Sequence, residues 1–414
     1  MDQTCLIKKF ILSCSFILSL LPAWTQRDSS FFRRVQDDSL SSAMNMDAVY
    51  NRPFLALGKS PVAVGGYLEG NYQYAVEDGV SEGHQLEARR LTLFISSSVG
   101  RRMKFLSEIE FEEGGREINI EFAALDVEFH PLLNLRSGIV MNPIGAFNQN
   151  HDGPKWEFVD RPYSATQMLP ATWSNAGFGL FGKYYQKQWM FAYECYLTGG
   201  FDQSIIENEE NKTFLPAAKQ NPHRFEEISS GRPLLNGKIA TRHKKIGEIA
   251  LSYMRGIYNT FEADGLVVDQ ARRLDVLAID YQRQFPKWHT QITAEWAWIQ
   301  VDIPDTYTQQ FGGKQQGGYL DIVQPIYRKA IGSWSNPSIN LACRLEYVDW
   351  NNETFRETGG KIGDELWSIM PGISFRPNPQ SVFRLNYRYR QQKDLLGNPP
   401  ALMAAVLFGF SCYF

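Results

Sequence analysis

The chain has 414 residues, of which 43% are hydrophobic, 14% aromatic and 21% charged, with a formal net charge of −3. That balance argues against a protein that holds nucleic acid through a basic field, and the slightly negative mean hydropathy excludes a bundle of membrane helices, which needs apolar runs of about 20 residues. It does not exclude a transmembrane β-barrel, where only alternate residues meet lipid.

At the N-terminus, Lys8 and Lys9 precede an apolar run over 10–21, and Ala23 and Thr25 offer small residues just before Gln26. This is the pattern of a cleavable export signal over 1–25. Lipidation at Cys14 is the weaker alternative, because the apolar run continues beyond it. Residues 26–60 are polar and irregular, with Arg27, Arg33, Arg34, Asp37 and Asp38. They are expected to form a periplasmic segment, flexible or acting as a partial plug.

From Pro61 onward the chain reads as short strands separated by turns. In residues 103–112, Met103, Phe105, Ile109 and Phe111 oppose Lys104, Glu108, Glu110 and Glu112; a strand sends successive side chains to opposite faces, so one wall is apolar and the other ionic. Alternation slips near Ala123-Ala124, where Ile118, Ile120 and Phe122 hand over to Leu125, Val127 and Phe129, which predicts a bulge there. Long breaks at 142–175 and 200–233 are expected loops. In 291–298, Ile292, Ala294, Trp296 and Trp298 oppose Gln291, Thr293, Glu295 and Ala297. In 338–347, Ile339, Leu341, Cys343, Leu345 and Tyr347 oppose Asn340, Ala342, Arg344 and Glu346. In 381–392, Phe383, Leu385, Tyr387 and Tyr389 back onto Arg384, Asn386, Arg388 and Arg390. Short connections at 376–379 and at His130-Pro131 suit the periplasmic side.

A soluble sandwich alternates too. Dense Arg and Glu on the polar faces, as a water-filled lumen would carry, and paired aromatics near strand ends (Tyr72 and Tyr74, Tyr184 and Tyr185, Trp296 and Trp298) favour a barrel with interfacial girdles. The last strand places Ala404, Val406, Phe408, Phe410, Cys412 and Phe414 on one face and Ala405, Leu407, Gly409, Ser411 and Tyr413 on the other. Pairing it with the first strand would leave no open edge in lipid. The expected fold is all-β: an antiparallel transmembrane barrel over 61–414 of about sixteen strands, closed by a C-terminal strand ending in Phe414.

Cys195, Cys343 and Cys412, the cysteines that remain after cleavage, sit apart in alternating stretches and read as small hydrophobes, not as a disulfide framework or metal site. The six histidines are scattered, and no HExxH, GxSxG or phosphate-cradling glycine loop occurs. No enzyme activity, metal or cofactor is expected; His151 reads as a hydrogen-bonding turn residue.

The series Ala88-Arg89-Arg90-Leu91-Thr92-Leu93-Phe94, then a glycine, the acidic strand ending Glu110-Phe111-Glu112, Asn142-Pro143-Ile144-Gly145, and Asp160-Arg161-Pro162 resembles the phosphate-selective porin O/P family, especially its Bacteroidetes-type members. The resemblance spans residues 60–414 and is densest over 88–175. It implies an outer-membrane porin, usually a homotrimer, with an inward loop narrowing the pore and basic lumen residues drawing in phosphate-like anions. A terminal Phe with aromatics two apart before it likewise resembles the signal read by the barrel-assembly machinery. The 142–175 loop is the constriction candidate. It offers Lys155 and Arg161 to an anion but also carries Asp152, Glu157 and Asp160, so its charge is mixed.

From parity alone, Arg136, Arg344, Arg384, Arg388 and Arg390 face the lumen. They can be read as an anion pathway, since a guanidinium suits oxyanions, or as members of an ion-pair network with Glu108, Glu110, Glu112, Glu295 and Glu346. The leading expectation is passive diffusion of small hydrophilic solutes across a bacterial outer membrane, with an anion preference as the finer expectation. A non-conducting structural or adhesive barrel is the alternative; an outer-membrane phospholipase lacks an Asn/His/Ser constellation.

Overall fold

The computed structural model describes residues 44–53, 62–226 and 231–414; the expected export signal, and most of the 26–60 segment, lie outside the described residues. Five strands come first: β1 (Val62–Glu77), β2 (Val80–Ser98), β3 (Met103–Glu112), β4 (Glu117–His130) and β5 (Leu133–Met141). After a long loop follow β6 (Ser174–Gln186) and β7 (Trp189–Thr198), and after a second, β8 (Leu234–His243) and β9 (Gly247–Ile257). A small hairpin, β10 (Glu262–Ala263) with β11 (Leu266–Val267), stands outside the sheet. The remainder are β12 (Arg273–Gln284), β13 (Gln291–Val301), β14 (Lys314–Tyr327), β15 (Ser338–Asp349), β16 (Glu365–Asn378), β17 (Ser381–Lys393) and β18 (Ala401–Tyr413). Apart from the hairpin, each strand pairs with its neighbours in sequence, and β1 pairs with β18, closing a barrel of sixteen antiparallel strands. No helix among the described residues is long and apolar enough to cross a membrane.

The closing seam joins the first strand to the last residue. Gly66 and Phe414 exchange both backbone hydrogen bonds at 3.0 Å, and Tyr67 stands opposite Tyr413. On the outer face the Phe414 and Phe410 rings lie over Gly66 and Gly70: a Cβ on Gly66 would meet the Phe414 ring at 2.7 Å and the Thr92 carbonyl at 2.1 Å. Gly66→Val is therefore expected to weaken the seam. The check is the heat-stable, fast-migrating band of folded barrel on an unheated SDS gel, which should fade at a lower temperature than for the unaltered protein.

Parity holds along the strands. Leu345, Leu385 and Phe408 are 44–47% exposed on the outside, whereas Arg344, Arg384 and Leu407 are at most 2% exposed within. Aromatic pairs mark two levels of the outer wall. Trp296 stacks on Tyr347 and Trp367 packs on Tyr389 toward the end that carries the long loops; Trp189 stacks on Phe191 near the end with short turns. Two such bands are what membrane interfaces select.

The ladders carry register shifts near Glu128, Pro325 and Phe375, at or near the short-turn end, and three more on β1, β2, β3 and β4. Glu108 pairs with Phe122 and Ile109 with Ile120, so Glu121 is the extra residue. The slip expected at Ala123-Ala124 thus lies two residues earlier. Both Glu121 and Phe122 turn inward, and Phe122 leaves the outward row on which the sequence pattern placed it. Between β1 and β2, Glu69 pairs with Arg90 and Asn71 with Glu87, so Gly70 faces both Ala88 and Arg89. The third lies near the β1–β2 turn, at Ala75 and Val76.

Candidate functional site

The interior of the barrel is crossed by the chain between β5 and β6, residues 142–173. Asn148 ties the base of this loop: its Nδ2 donates to the carbonyls of Asn142 (2.7 Å) and Trp173 (2.9 Å), and its Oδ1 accepts from Trp173 N at 2.7 Å. Gly145 has φ +67°, and a Cβ there would sit 2.5 Å from the Glu295 carboxylate, so only glycine fits both the turn and the wall. Glu295 in turn accepts from the backbone N–H of Ala146 (2.6 Å) and Phe147 (3.0 Å). Further along, Asn386 accepts from Val159 N and Glu346 from Tyr163 N, each at 2.8 Å. The wall thus satisfies backbone groups that a buried loop would otherwise leave unpaired.

The bulges take part. The β2 bulge turns Arg89 toward the loop, where Nη1 donates to the Val159 carbonyl (3.0 Å) and to Asp160 (2.9 Å). The β4 bulge turns Glu121 inward to accept from Thr172 Oγ1 and, at 3.3 Å, from Lys219 of the 199–233 connection. An extra residue in a strand re-aims a side chain at small cost to the ladder.

A second insert lies beneath the loop. Residues 44–53 include the single turn Asn45–Asp47 and are largely buried. Asn45 N donates to Glu248, Lys183 pairs with Asp47, and Met44 and Met46 pack on Ala192, Ala240 and Ala250. Asn45 Nδ2 and Lys155 Nζ join insert and loop, reaching the carbonyls of Ala146 (2.6 Å) and Ala48 (3.0 Å). Arg52 is the main post. It donates to Asp152 at 2.6–3.1 Å and to Glu108 at 2.8 Å, and its guanidinium carbon lies 3.9 Å over the Phe94 ring. Tyr413, from the last strand, donates to the same Asp152 at 2.6 Å.

All five arginines singled out by parity come to the inner face, and four are held by carboxylates. Arg136 grips Asp126 through two bonds (2.7 and 2.8 Å), and Arg344 grips Asp321 in the same way (2.7 Å each). Each of these pairs stands directly across one strand junction. Arg384 donates to Glu69 at 2.8 Å and to the Phe158 carbonyl at 2.8 Å; Arg388 pairs with Asp160. Arg390 has the loosest hold, 3.9 Å from Glu77, with its guanidinium 5.7 Å from the Tyr163 ring. Of the loop cations, Lys155 lies 3.2 Å from Asp152 and Arg161 3.5 Å from Glu110. The arginines also touch the inserts: Arg136 stacks 3.6 Å from the Tyr50 ring and Arg344 donates to the Asp160 carbonyl at 2.7 Å. Sequence reading missed Arg52, which lies in a stretch without periodicity, and missed Asp126, Asp321 and Glu69, whose significance appears only once register sets them opposite their arginines.

Burial opposes the charge of Asp160, but the guanidinium groups of Arg388 and Arg89 outweigh it and hold the carboxyl below its usual range. Burial is likewise outweighed at Asp152, chiefly by Arg52. Glu108, His151 and Asp152 come close enough to share a cation. Arg52 fills that place, bonding both carboxylates and lying 3.3 Å from His151 Nε2. His151 Nδ1 donates to the Asn148 carbonyl at 2.8 Å, the turn role expected of it.

No family model matches the chain. It is 32% identical to an uncharacterized protein of Aquifex aeolicus (strain VF5) over 379 residues, covering 84% of this chain and 82% of the relative. The chain belongs to that protein's family. Among solved structures, it resembles an anion-selective porin from Comamonas acidovorans (TM-score 0.52, 14% identity, 85% of this chain and 99% of that one). It also resembles OmpTdeltaL8, a loop-deletion mutant of an outer-membrane protein of Vibrio cholerae (0.51, 9%, 85% and 99%), and Pseudomonas putida OprB (0.50, 8%, 86% and 94%). At these identities the likeness is one of fold: the sixteen-strand barrel of outer-membrane porins. With its apolar, aromatic-banded exterior, this is a protein of the bacterial outer membrane.

Proposed function

We propose that this family member is a channel for passive diffusion of small hydrophilic solutes, with a bore set jointly by the 142–173 loop and the 44–53 insert. The observation that carries the reading is a closed barrel whose charged inner wall is crossed by a loop on polar anchors. Such a wall has no purpose toward lipid and suits a path for solutes that shed part of their hydration.

An anion preference is part of the proposal. It draws support from the cluster at the loop tip, where Arg89 and Arg388 share Asp160, with Glu69 and Glu346 also near them, and Arg390 has only a loose contact with Glu77. The neighbouring carboxylates offset most of this positive charge, so the preference is modest. The narrower kinship with phosphate-selective porins O/P is supported by the roles that its residue series takes up here: Arg89 and Gly145 both seat the inward loop.

Planar-bilayer recording tests the channel, and reversal potentials in a KCl gradient test its sign. Wild-type barrels should favour chloride, and Arg390→Ala, which breaks no close ion pair, should move the potential toward zero. An unchanged potential would remove Arg390 from the pathway. The competing reading, a non-conducting barrel, is favoured by how little of the inner wall is exposed: Glu108, Glu110 and Arg344 have none of their surface open. Baseline current from the unaltered barrel and from one lacking residues 44–53 would establish it.

A further inference from the structure

A cavity of about 710 Å³ opens at the barrel rim on the long-loop side. Its floor is made by the ends of four strands, which contribute Arg255, Arg273, Asp275, Gln300 and Lys314. These side chains face outward, because their neighbours Met254, Leu274, Ile299 and Gln315 are buried inside. The 302–313 and 350–364 loops overhang it, the second bringing Arg356.

The charge in this cavity is unevenly matched. Arg255 lies 3.3 Å from Asp275, which also accepts from Tyr253 at 2.5 Å. Asp302 faces Arg272 at 3.7 Å, and Glu353 accepts from Gly313 N at 3.1 Å. Among the described residues Arg273 and Lys314 have no acidic partner, and Arg356 has beside it its exposed chain neighbour Glu357, which is itself held by Gln309. Three cations around one hollow, with the nearby carboxylates engaged elsewhere, suit a multiply charged oxyanion.

The level of the cavity narrows the ligand. Tyr253 and Trp298, both outward and about 40% exposed, each precede a floor residue by two positions. Lys314, opposite Gln300, therefore lies roughly 7 Å beyond the aromatics along the strands, and Arg273, opposite Ile257, roughly 13 Å beyond them. Tyr and Trp mark the head-group boundary; Leu277 lies level with them, opposite both, and Leu251 one step below, and together they present an apolar wall. We propose that the cavity holds the phosphorylated head group of a membrane lipid, with Arg273, Lys314 and Arg356 on the phosphate and acyl chains against Leu251 and Leu277. This rests on the barrel exterior alone, so it stands whether or not the bore conducts.

Native mass spectrometry of the detergent-purified barrel tests it, using three probes: a bis-phosphorylated acylated glucosamine lipid, the same lipid dephosphorylated, and inorganic phosphate. The phosphorylated lipid should bind, and the double substitution Arg273→Gln with Lys314→Gln should weaken it about tenfold. Lys329→Gln, at the short-turn end, should leave it unchanged. Equal binding of the dephosphorylated lipid would reduce the site to an apolar wall, and equal occupancy by inorganic phosphate would make it a free-anion site; either overturns the proposal. So would undiminished binding by the double variant, or an equal loss with Lys329→Gln. Both rim residues are exposed, and the heat-stable gel band confirms that the variants remain folded.

Discussion

Arg52→Ala is expected to raise single-channel conductance severalfold, approaching the value reached by deleting residues 44–53. Arg52 is fully buried and neutralises two buried carboxylates, Asp152 and Glu108. Removing one partner from such a set costs about 3–5 kcal/mol, mostly as charge left without compensation. The cheapest relief is hydration, which requires the insert to leave and water to enter. The remaining contacts of the insert include an apolar patch around Met44 and Met46, bonds to Glu248, Ala146 and Lys155, the Lys183–Asp47 pair and Tyr50 under Arg136; none of them neutralises two buried carboxylates at once. Arg52→Lys should give an intermediate current, since an ammonium keeps the charge but cannot bridge Asp152 and Glu108 with the same fork. Measurement is by planar-bilayer recording on barrels that show the heat-stable gel band. Wild-type conductance in both Arg52→Ala and the deletion would mean that the insert does not narrow the path.

The strand faces were legible in the sequence because side-chain period is a local property. The rows Phe383–Leu385–Tyr387 and Arg384–Asn386–Arg388 separate cleanly into outer and inner walls, as do those of the final strand. What could not be read was pairing across strands. Arg136 opposite Asp126 and Arg344 opposite Asp321 follow from register, which is set by turns and by bulges that count two residues against one. The same limit explains Phe122: parity carried forward from Ile120 fails once Glu121 is inserted. Loop 142–173 announced itself by length and by glycine and proline, but its anchors are scattered over β2, β4, β13, β15 and β17. The role of Arg52 had no local trace at all, since nothing in a polar, aperiodic segment says which wall will receive it.

Arg344→Ala should be the most damaging single change on the inner wall, and its partner shows why the loss concerns charge and not merely contact. The guanidinium of Arg344 binds both oxygens of Asp321, donates to the Asp160 carbonyl and lies 4.3 Å from the Phe158 ring. Truncation strands Asp321 in a site with 3% exposure and releases the loop at Asp160, so a loss of about 3–5 kcal/mol is expected. Asp321→Leu alone should cost a comparable amount by leaving the cation unpaired. The double substitution Arg344→Met with Asp321→Leu replaces the pair by apolar groups of similar size, and such replacements are often neutral. Its thermal midpoint, followed by the heat-modifiable gel shift, should therefore exceed that of either single variant, while the loop, still without its bond at Asp160, should be cut faster by added protease. If the double variant were as unstable as the sum of the two singles, the pair would not be a coupled unit, and Arg344 would act through its contacts with the loop alone.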